Sequence, residues 1–188
     1  MLHRIFIAVN ISDEVKDEFL LLQEKWTLPI KWTERDNFHI TLSFLGNRGA
    51  KEIEEIKRIA KKAADGHSSF QLEFVKATYG PKESLPSMVW VKEVGSKELK
   101  ALQKDLEKEL MTSEVLKYAP ERKSFSPHIT LGRLQMFDFR NLELEERPQI
   151  NDDFSFLSEV RSLEIMESKL SKEGSRYTVL ESVKLTEK

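Results

Sequence analysis

The spacing of apolar residues predicts two strands and two amphipathic helices in the first third of the chain. Residues 4–10 form an apolar, β-branched run that predicts a buried strand, and residues 38–45 predict a second one. Between them, Ser12 is a suitable N-cap for a helix over residues 13–26, where apolar side chains recur at helical spacing. A second helix is predicted over residues 51–64, because one face carries isoleucine and alanine while the other faces carry charge.

The rest of the chain shows the same two kinds of pattern. Leucines at helical spacing predict a helix that opens at Gly95-Ser96 and runs to Leu110. Apolar runs predict four strands in addition to the one that contains His128: residues 70–78, 88–94, 159–168 and 176–185. We expect a proline-containing loop between the first two and a hairpin turn at residues 172–174 between the last two. The polar, acidic residues 138–153 are predicted to form a loop.

A four-residue repeat adds symmetry to this pattern. His-Ile-Thr-Leu occurs at residues 39–42 and again at residues 128–131, and each copy lies in a predicted strand that follows a strand and a helix. Two of the 4 histidines therefore occupy identical settings. We predict an α+β fold with two pseudo-symmetric lobes of antiparallel sheet, which carry outer helices and surround a central cleft. No linker separates the halves, so residues 1–188 are interpreted as a single domain.

The composition limits the chemistry that the chain can perform. Hydrophobic residues make up 39% of the 188 residues, and charged residues 33%, which is typical of a globular protein. The formal net charge of −2 does not favour general nucleic-acid binding, and the absence of cysteine excludes disulfides, thiolate metal sites and a cysteine nucleophile. No segment has the pattern of a signal peptide or a transmembrane helix. We expect a cytoplasmic monomer without membrane association.

The alternation of side chains along a strand gives the repeat a chemical meaning. His39 and Thr41 share one face of their strand, as do His128 and Thr130, while the intervening apolar residues point into the core. Two imidazoles with ordinary pKa values near 6.5 can supply a general base and a general acid at neutral pH. Threonine hydroxyls can donate hydrogen bonds to phosphate oxygens. The set suits in-line cleavage of a phosphodiester.

Basic residues stand near both copies of the repeat in the sequence. They are Arg35, Arg48 and Lys51 around the first copy, and Arg122, Lys123 and Arg133 around the second. Because the protein as a whole is slightly acidic, this clustering indicates a site for an anion.

The paired motifs resemble the 2H phosphoesterase superfamily. The opening RIFIAV, the segments FHITLSFLG and SFSPHITLGR, and the closing SKLSKEGSRYTVLE resemble its RNA 2′,3′-cyclic phosphodiesterase branch, also called 2′-5′ RNA ligase. The resemblance covers nearly the whole chain and implies a two-lobed fold with a central cleft and no metal or other cofactor. It implies hydrolysis of a 2′,3′-cyclic phosphate, on RNA or a nucleotide, to a 2′-phosphate. It also implies a reversible ligation in which a 5′-hydroxyl replaces water.

The resemblance further implies roles for individual residues. His39 would donate a proton to the leaving 3′ oxygen, and His128 would be the base that activates water. The remaining implied residues bind substrate: Thr41 and Thr130 at the phosphate, with Arg133 and Phe6 as further parts of the substrate site.

The implied role of Arg133 conflicts with strict strand alternation. Counting from His128 places Thr130 on the cleft face and Arg133 on the opposite face. A glycine inside a strand often marks a bulge, and a bulge turns the next side chain to the other face. We therefore predict irregular pairing at Gly132, with Arg133 turned toward the cleft.

Three other functions compete with this hypothesis. A nucleotide- or RNA-binding module could use the same cleft without turnover, although the intact histidines and threonines favour an enzyme. A metal hydrolase is less favoured, because neither motif contains a carboxylate and HExxH is absent. Residues 46–49 spell GxxG, with which KH domains contact nucleic-acid backbones. In KH domains that loop joins two helices, whereas here it follows a strand and is interpreted as a turn.

Overall fold

The computed structural model describes residues 1–27, 29–82, 84–120, 124–143, 146–147, 150, 153–170 and 174–187. In chain order the elements are β1 (His3–Asn10), α1 (Asp13–Lys25), β2 (Ile30–Trp32), a 3-10 turn (Arg35–Asn37), β3 (His39–Arg48), α2 (Ala50–Asp65), β4 (Phe70–Lys82), β5 (Leu85–Glu93), α3 (Lys97–Thr112), β6 (His128–Leu134), α4 (Met136–Asn141), β7 (Asp153–Val160), β8 (Ser162–Leu170) and β9 (Ser175–Lys184).

The strands form two antiparallel sheets. One has the order β3-β1-β8-β9, and the other has the order β2-β6-β5-β4-β7. The strands that begin at His39 and His128 belong to different sheets, and β3 and β6 contact each other where the sheets adjoin. The two sheets and their helices confirm the predicted α+β class with antiparallel lobes.

Strand alternation separates a shared core from the cleft. Apolar side chains from both sheets and from α1, α2 and α3 form one buried cluster, to which β3 contributes Ile40 and β6 contributes Ile129. The opposite face of β1 carries Phe6 and Ala8, which pack with Met166 and Tyr177 in a separate small cluster. A core that includes residues of both sheets is the packing expected of one domain.

Two local features differ from the prediction: the connection between β4 and β5, and the N-cap of α1. The expected proline loop between β4 and β5 is wrong, because both strands continue through the prolines and Pro81 pairs with Pro86. Prolines lack a backbone donor, so they fit at the end of a ladder, where few further bonds are needed. Ser12 occupies the N-cap of α1, but its side chain makes no capping hydrogen bond; its backbone N–H donates to Ser158 Oγ at 2.7 Å.

The predicted loop over residues 138–153 is partly helical. Helix α4 covers Met136–Asn141, and its Phe139 is buried beside Tyr79, with ring centroids 5.6 Å apart. The sequence pattern predicted one strand over residues 159–168, whereas the structure divides these residues between the end of β7 and β8. Most of β7 was therefore not predicted. The short β2 was also missed. Residues 172 and 173 of the predicted hairpin turn lie outside the described residues.

Candidate active site

One cleft, of about 1280 Å³, is lined by residues of both sheets. It contains every site residue proposed from the sequence: Phe6, His39, Thr41, His128, Thr130 and Arg133. Pockets for small molecules usually have volumes of roughly 300–1,000 Å³. The cleft therefore has room for more than one nucleotide.

The ring of His39 is held by hydrogen bonds on both nitrogens. Nδ1 lies 2.7 Å from the carbonyl oxygen of Asn37, and Nε2 lies 3.1 Å from Thr41 Oγ1. A carbonyl can only accept, so Nδ1 carries the proton of the neutral ring and Nε2 accepts from the Thr41 hydroxyl. The backbone thus sets the tautomer and turns Nε2 toward the cleft.

His128 is held in the same way. Its Nδ1 lies 2.8 Å from the carbonyl oxygen of Ser126, again two residues earlier in the chain. Its Nε2 makes no hydrogen bond to another described residue, and the residue lines the cleft. The ring stacks on the indole of Trp90, with centroids 3.7 Å apart and planes inclined by 21°.

Two aromatic side chains that the sequence hypothesis did not name, Tyr177 and Trp90, line the cleft beside the histidines. Tyr177 meets the His39 ring edge to face, with centroids 5.2 Å apart, and Phe6 lies 5.0 Å from the same ring. Tyr177 stands in the closing segment that carried the family resemblance, and Trp90 faces Thr130 across the β5–β6 ladder. Trp90 could be placed in the site only from the register between β5 and β6, and the order of residues alone does not reveal that register.

Burial shifts the pKa values of both histidines. Desolvation lowers the pKa of His39 to about 4, against an opposing contribution from the Asn37 carbonyl, and His128 lowers it further by charge repulsion. Burial also lowers the pKa of His128, and the positive charges of Lys92 and Arg133 act in the same direction. Both rings are therefore neutral at pH 7, and a bound anion would raise both pKa values.

The two motifs share an irregularity of the backbone. Between β1 and β3, Ala8 pairs with Thr41 and Ile7 with Ser43, which leaves Leu42 without a partner residue.

Between β5 and β6, Trp90 pairs with Thr130 and Val89 with Gly132, which leaves Leu131 without one. The bulge thus follows the threonine in both copies, so the repeat extends from the side chains to the backbone.

The second bulge turns Arg133 toward the cleft. The predicted irregular pairing at Gly132 is confirmed, with Leu131 as the extra residue, and Arg133 lines the cleft. Its Nη1 lies 3.4 Å from Met88 Sδ, and no carboxylate of the described residues forms an ion pair with it. A Cβ at Gly132 would lie only 2.7 Å from the side chain of Ile30, so a glycine is needed where β2 packs on β6.

The predicted basic cluster is largely dispersed. Arg35 forms ion pairs with Asp13 and Asp17 on the surface, and Arg48 pairs with Glu52 at 2.7 Å. These acids belong to α1 and α2, and the sequence pattern did not show that they would pair with the two arginines. Residues 122 and 123 lie outside the described residues, whereas Arg4 and Arg133 line the cleft.

The described part of the chain contains no group of three or more His, Cys, Asp or Glu side chains that could hold a metal ion. Within the same residues, no helix has the length and apolar character needed to cross a lipid bilayer.

Comparison with known proteins identifies the family. A family model described as "LigT like Phosphoesterase" matches residues 9–91, which contain the first motif. The RNA 2′,3′-cyclic phosphodiesterase of Aeropyrum pernix is 31% identical over 160 residues, which are 84% of this chain and 87% of that protein. The chain belongs to the LigT-like phosphoesterase family.

Further similarity covers both lobes of this LigT-like phosphoesterase. The RNA 2′,3′-cyclic phosphodiesterase of Methanocaldococcus jannaschii is 26% identical over 182 residues, 94% of this chain and 98% of that protein. The crystal structure of TT0787 from Thermus thermophilus has a TM-score of 0.83 and 25% identity, with 98% of each chain covered. These matches include the second motif and confirm the resemblance found in the sequence.

Proposed function

We propose that this LigT-like phosphoesterase hydrolyses 2′,3′-cyclic phosphate ends of RNA, or of nucleotides, to 2′-phosphates. The observation that carries the proposal is the matched pair of histidines in one cleft. Each uses Nδ1 to bond the carbonyl two residues earlier, which leaves Nε2 for the reaction. The relatives from Aeropyrum pernix and Methanocaldococcus jannaschii, which bear the name RNA 2′,3′-cyclic phosphodiesterase, support the same substrate.

The reaction needs a base that removes a proton from water and an acid that protonates the leaving oxygen. His128 Nε2 removes a proton from water, and the water oxygen attacks phosphorus on the side opposite the 3′ oxygen. The bond between phosphorus and the 3′ oxygen breaks, and His39 Nε2–H protonates that oxygen. The product is a 2′-phosphate with a free 3′-hydroxyl. Exchange with solvent then moves the proton from His128 back to His39.

Substrate binding prepares His39 for the acid role. With a pKa of about 4, the ring is neutral in the empty cleft, and its Nε2 accepts from Thr41. The negative charge of a bound phosphate favours the imidazolium, whose Nε2–H then donates. The Thr41 hydroxyl is released to bond a non-bridging phosphate oxygen, and Thr130 does the same from the other lobe. Arg133 contacts the phosphate or the base from the edge of the cleft, and Phe6 packs against His39.

The same geometry favours turnover over simple binding. A site that only holds an anion benefits from donors, whereas a neutral imidazole presents an acceptor lone pair at Nε2. The proposed reaction uses one ring as the acceptor and the other, once it is protonated, as the donor, whereas simple binding needs donors alone. The alternative of a nucleotide-binding module explains the threonines and Arg133 but leaves this pair without a purpose.

We also propose that a 5′-hydroxyl can take the place of water. The 5′ oxygen would attack phosphorus with His128 as base, the 3′ oxygen would leave with the proton of His39, and a 2′-5′ linkage would form. A cleft of about 1280 Å³ has room for the second strand end. The protein would act as a monomer, because described residues of a single chain line the cleft from both sheets, and it would do so in the cytoplasm.

The direct test is product analysis. Short RNAs that end in a 2′,3′-cyclic phosphate are incubated with the protein, with and without a chelator of divalent cations. We expect a 2′-phosphate as the only product at equal rates in both samples. A 3′-phosphate would contradict the roles of the two histidines. Tight binding of the RNA without any product would support the binding module instead.

A further inference from the structure

Helix α3 contacts β3, and residues of both elements line the cleft. Gln103 and Glu107 of α3 line it, together with Ser43, Tyr118 and Phe125. The two α3 residues are four positions apart and therefore neighbours on one helix face. The proposed reaction uses none of these five side chains.

Gln103 is placed unusually for a polar residue. It is only 9% exposed and lies on the side of α3 that carries four fully buried leucines: Leu99, Leu102, Leu106 and Leu110. Its amide makes no hydrogen bond to another described residue, and its polar atoms are open to the cleft, where they can bond a ligand. Glu107 likewise makes no hydrogen bond or ion pair to a described residue. Both groups line a cavity, so a ligand that enters it can bond them.

Aromatic groups accompany the two polar side chains. Phe125 and Tyr118 are partly buried against the core, and Ser43 Oγ donates to Tyr118 Oη at 2.9 Å. Flat aromatic surfaces beside amide and carboxylate groups suit a nucleobase, which stacks on its face and hydrogen-bonds along its edge. Ser43 lies two residues beyond Thr41 on the same strand and lines the same cleft. A base beside Tyr118 and a phosphate at Thr41 can therefore belong to one nucleotide.

The carboxylate determines which base fits. A carboxylate only accepts hydrogen bonds, whereas a glutamine amide can donate or accept. Guanine presents two adjacent donors, N1–H and N2–H₂, beside the acceptor O6. Adenine and cytosine place a ring-nitrogen acceptor next to their amino group, and uracil offers a single donor between two acceptors. Only guanine satisfies both oxygens of Glu107 with neighbouring donors.

We propose, resting on the function proposed above, that the cleft between β3 and α3 is a recognition subsite for a guanine base at the RNA end. Glu107 accepts from N1–H and N2–H₂ of that base, and Gln103 donates its amide N–H to O6. Phe125 and Tyr118 pack against the base face.

The test compares cyclic nucleotides that differ only in the base. We would measure kcat/KM for the 2′,3′-cyclic phosphates of guanosine, inosine, adenosine, cytidine and uridine. The guanosine compound should be preferred, and the inosine compound, which lacks the 2-amino group, should be intermediate. Glu107→Gln should lower kcat/KM for guanosine roughly ten- to hundredfold and leave uridine nearly unchanged. Gln103→Leu should also reduce the guanosine preference.

Glu109→Gln is the matched control, because Glu109 lies on the same helix, pairs with Lys62 and does not line the cleft. It should change none of the five values. Equal kcat/KM for all five bases, or equal losses for guanosine and uridine in Glu107→Gln, would overturn the subsite and leave the proposed function intact. If the wild-type protein turned over none of the compounds, the proposed function would fail. The subsite would then stand or fall on calorimetry: guanosine 2′-phosphate must bind more tightly than uridine 2′-phosphate, and Glu107→Gln must remove the difference.

Discussion

The indole of Trp90 stacks on the imidazole of His128 at a centroid distance of 3.7 Å. The indole itself rests on β4, where a Cβ at Gly80 would fall 2.4 Å from it, so a glycine there leaves the room that the stack needs. A cation over the face of a tryptophan is stabilised by about 0.5–2 kcal/mol. Trp90 therefore favours the imidazolium of His128, which is the state that a general base reaches after it takes a proton. Among the described residues His39 has no comparable stack, because its neighbours Phe6 and Tyr177 are tilted and more distant.

Replacing Trp90 should weaken His128 as a base. Trp90→Leu removes the stack, so it should lower the pKa of His128 further and reduce kcat roughly 2- to 30-fold, the range that corresponds to the lost cation–π energy. Trp90→Phe should fall between this variant and the wild type. NMR titration of the His128 ring and steady-state kinetics measure the two effects. A pKa of His128 that rises in Trp90→Leu would show that the indole acts mainly by excluding water.

Replacing either histidine should separate catalysis from binding. His39→Ala and His128→Ala should each lower kcat by about 10²–10⁴-fold, the usual contribution of a general acid or base. Binding of a 2′-nucleotide product, measured by calorimetry, should change far less. Thr41→Val and Thr130→Val should cost less in rate and should weaken product binding as well.

His67→Ala is the control for the histidine variants, because His67 lies outside the cleft and contacts Asp105. Its kinetics should match the wild type. Equal and small losses for all four motif variants would favour the binding module.

The plot of rate against pH should be bell-shaped, with its maximum on the acid side of neutrality. The reactive state of the site carries one proton on the histidine pair, so its population peaks between the two pKa values of the pair. Burial lowers the pKa of His39 to about 4 and also lowers that of His128. We therefore expect kcat/KM, which reports the free protein, to be maximal below about pH 6.5. The kcat profile should lie at higher pH, because bound phosphate raises both pKa values. A kcat/KM maximum above pH 7 would contradict the burial argument.

The burial of His39 should also make folding stability depend on pH. The unfolded chain binds a proton at His39 near pH 6.5, whereas the folded protein does so only near pH 4. Stability is therefore lost as the pH falls from 6.5 toward 4, and the loss is constant below that range. Between pH 7 and pH 5 the wild type should lose about 2 kcal/mol more unfolding free energy than His39→Asn. Urea titrations at the two pH values measure this difference, and parallel losses in both proteins would refute it.

Arg133 should contribute to affinity and not to folding. Its side chain lines the cleft and has no carboxylate partner among the described residues, so Arg133→Ala removes no ion pair. Hydrogen bonds to charged groups contribute about 1.5–3 kcal/mol, so the Kd of a 2′-nucleotide should rise roughly tenfold or more. The melting temperature should stay close to that of the wild type. Arg140→Ala, on exposed α4, is the matched control and should alter neither value. A large loss of stability in Arg133→Ala with unchanged Kd would make the residue structural.

Local patterns in the sequence were sufficient wherever one element decides the outcome. The alternation in His-Ile-Thr-Leu places histidine and threonine on one face in both lobes, and it needs no other part of the chain to do so. Gly132 likewise indicated the bulge that turns Arg133, because a glycine inside a strand often marks a bulge. The amphipathic helices and the class of the fold followed from periodicity in the same way.

Contacts between distant segments decided the rest. Trp90 reaches His128 only because β5 pairs with β6 in one register, and Tyr177 reaches His39 from the last strand of the first sheet. Arg35 stands near the first motif in the sequence, yet the carboxylates of α1 hold it outside the cleft. The ion pairs of Arg35, the stacking of Trp90 on His128 and the burial of the histidines all depend on which elements pack against each other in the folded protein. The proposed reacting groups could therefore be chosen from the order of residues, while their pKa values and the shape of the cleft arise from packing between elements.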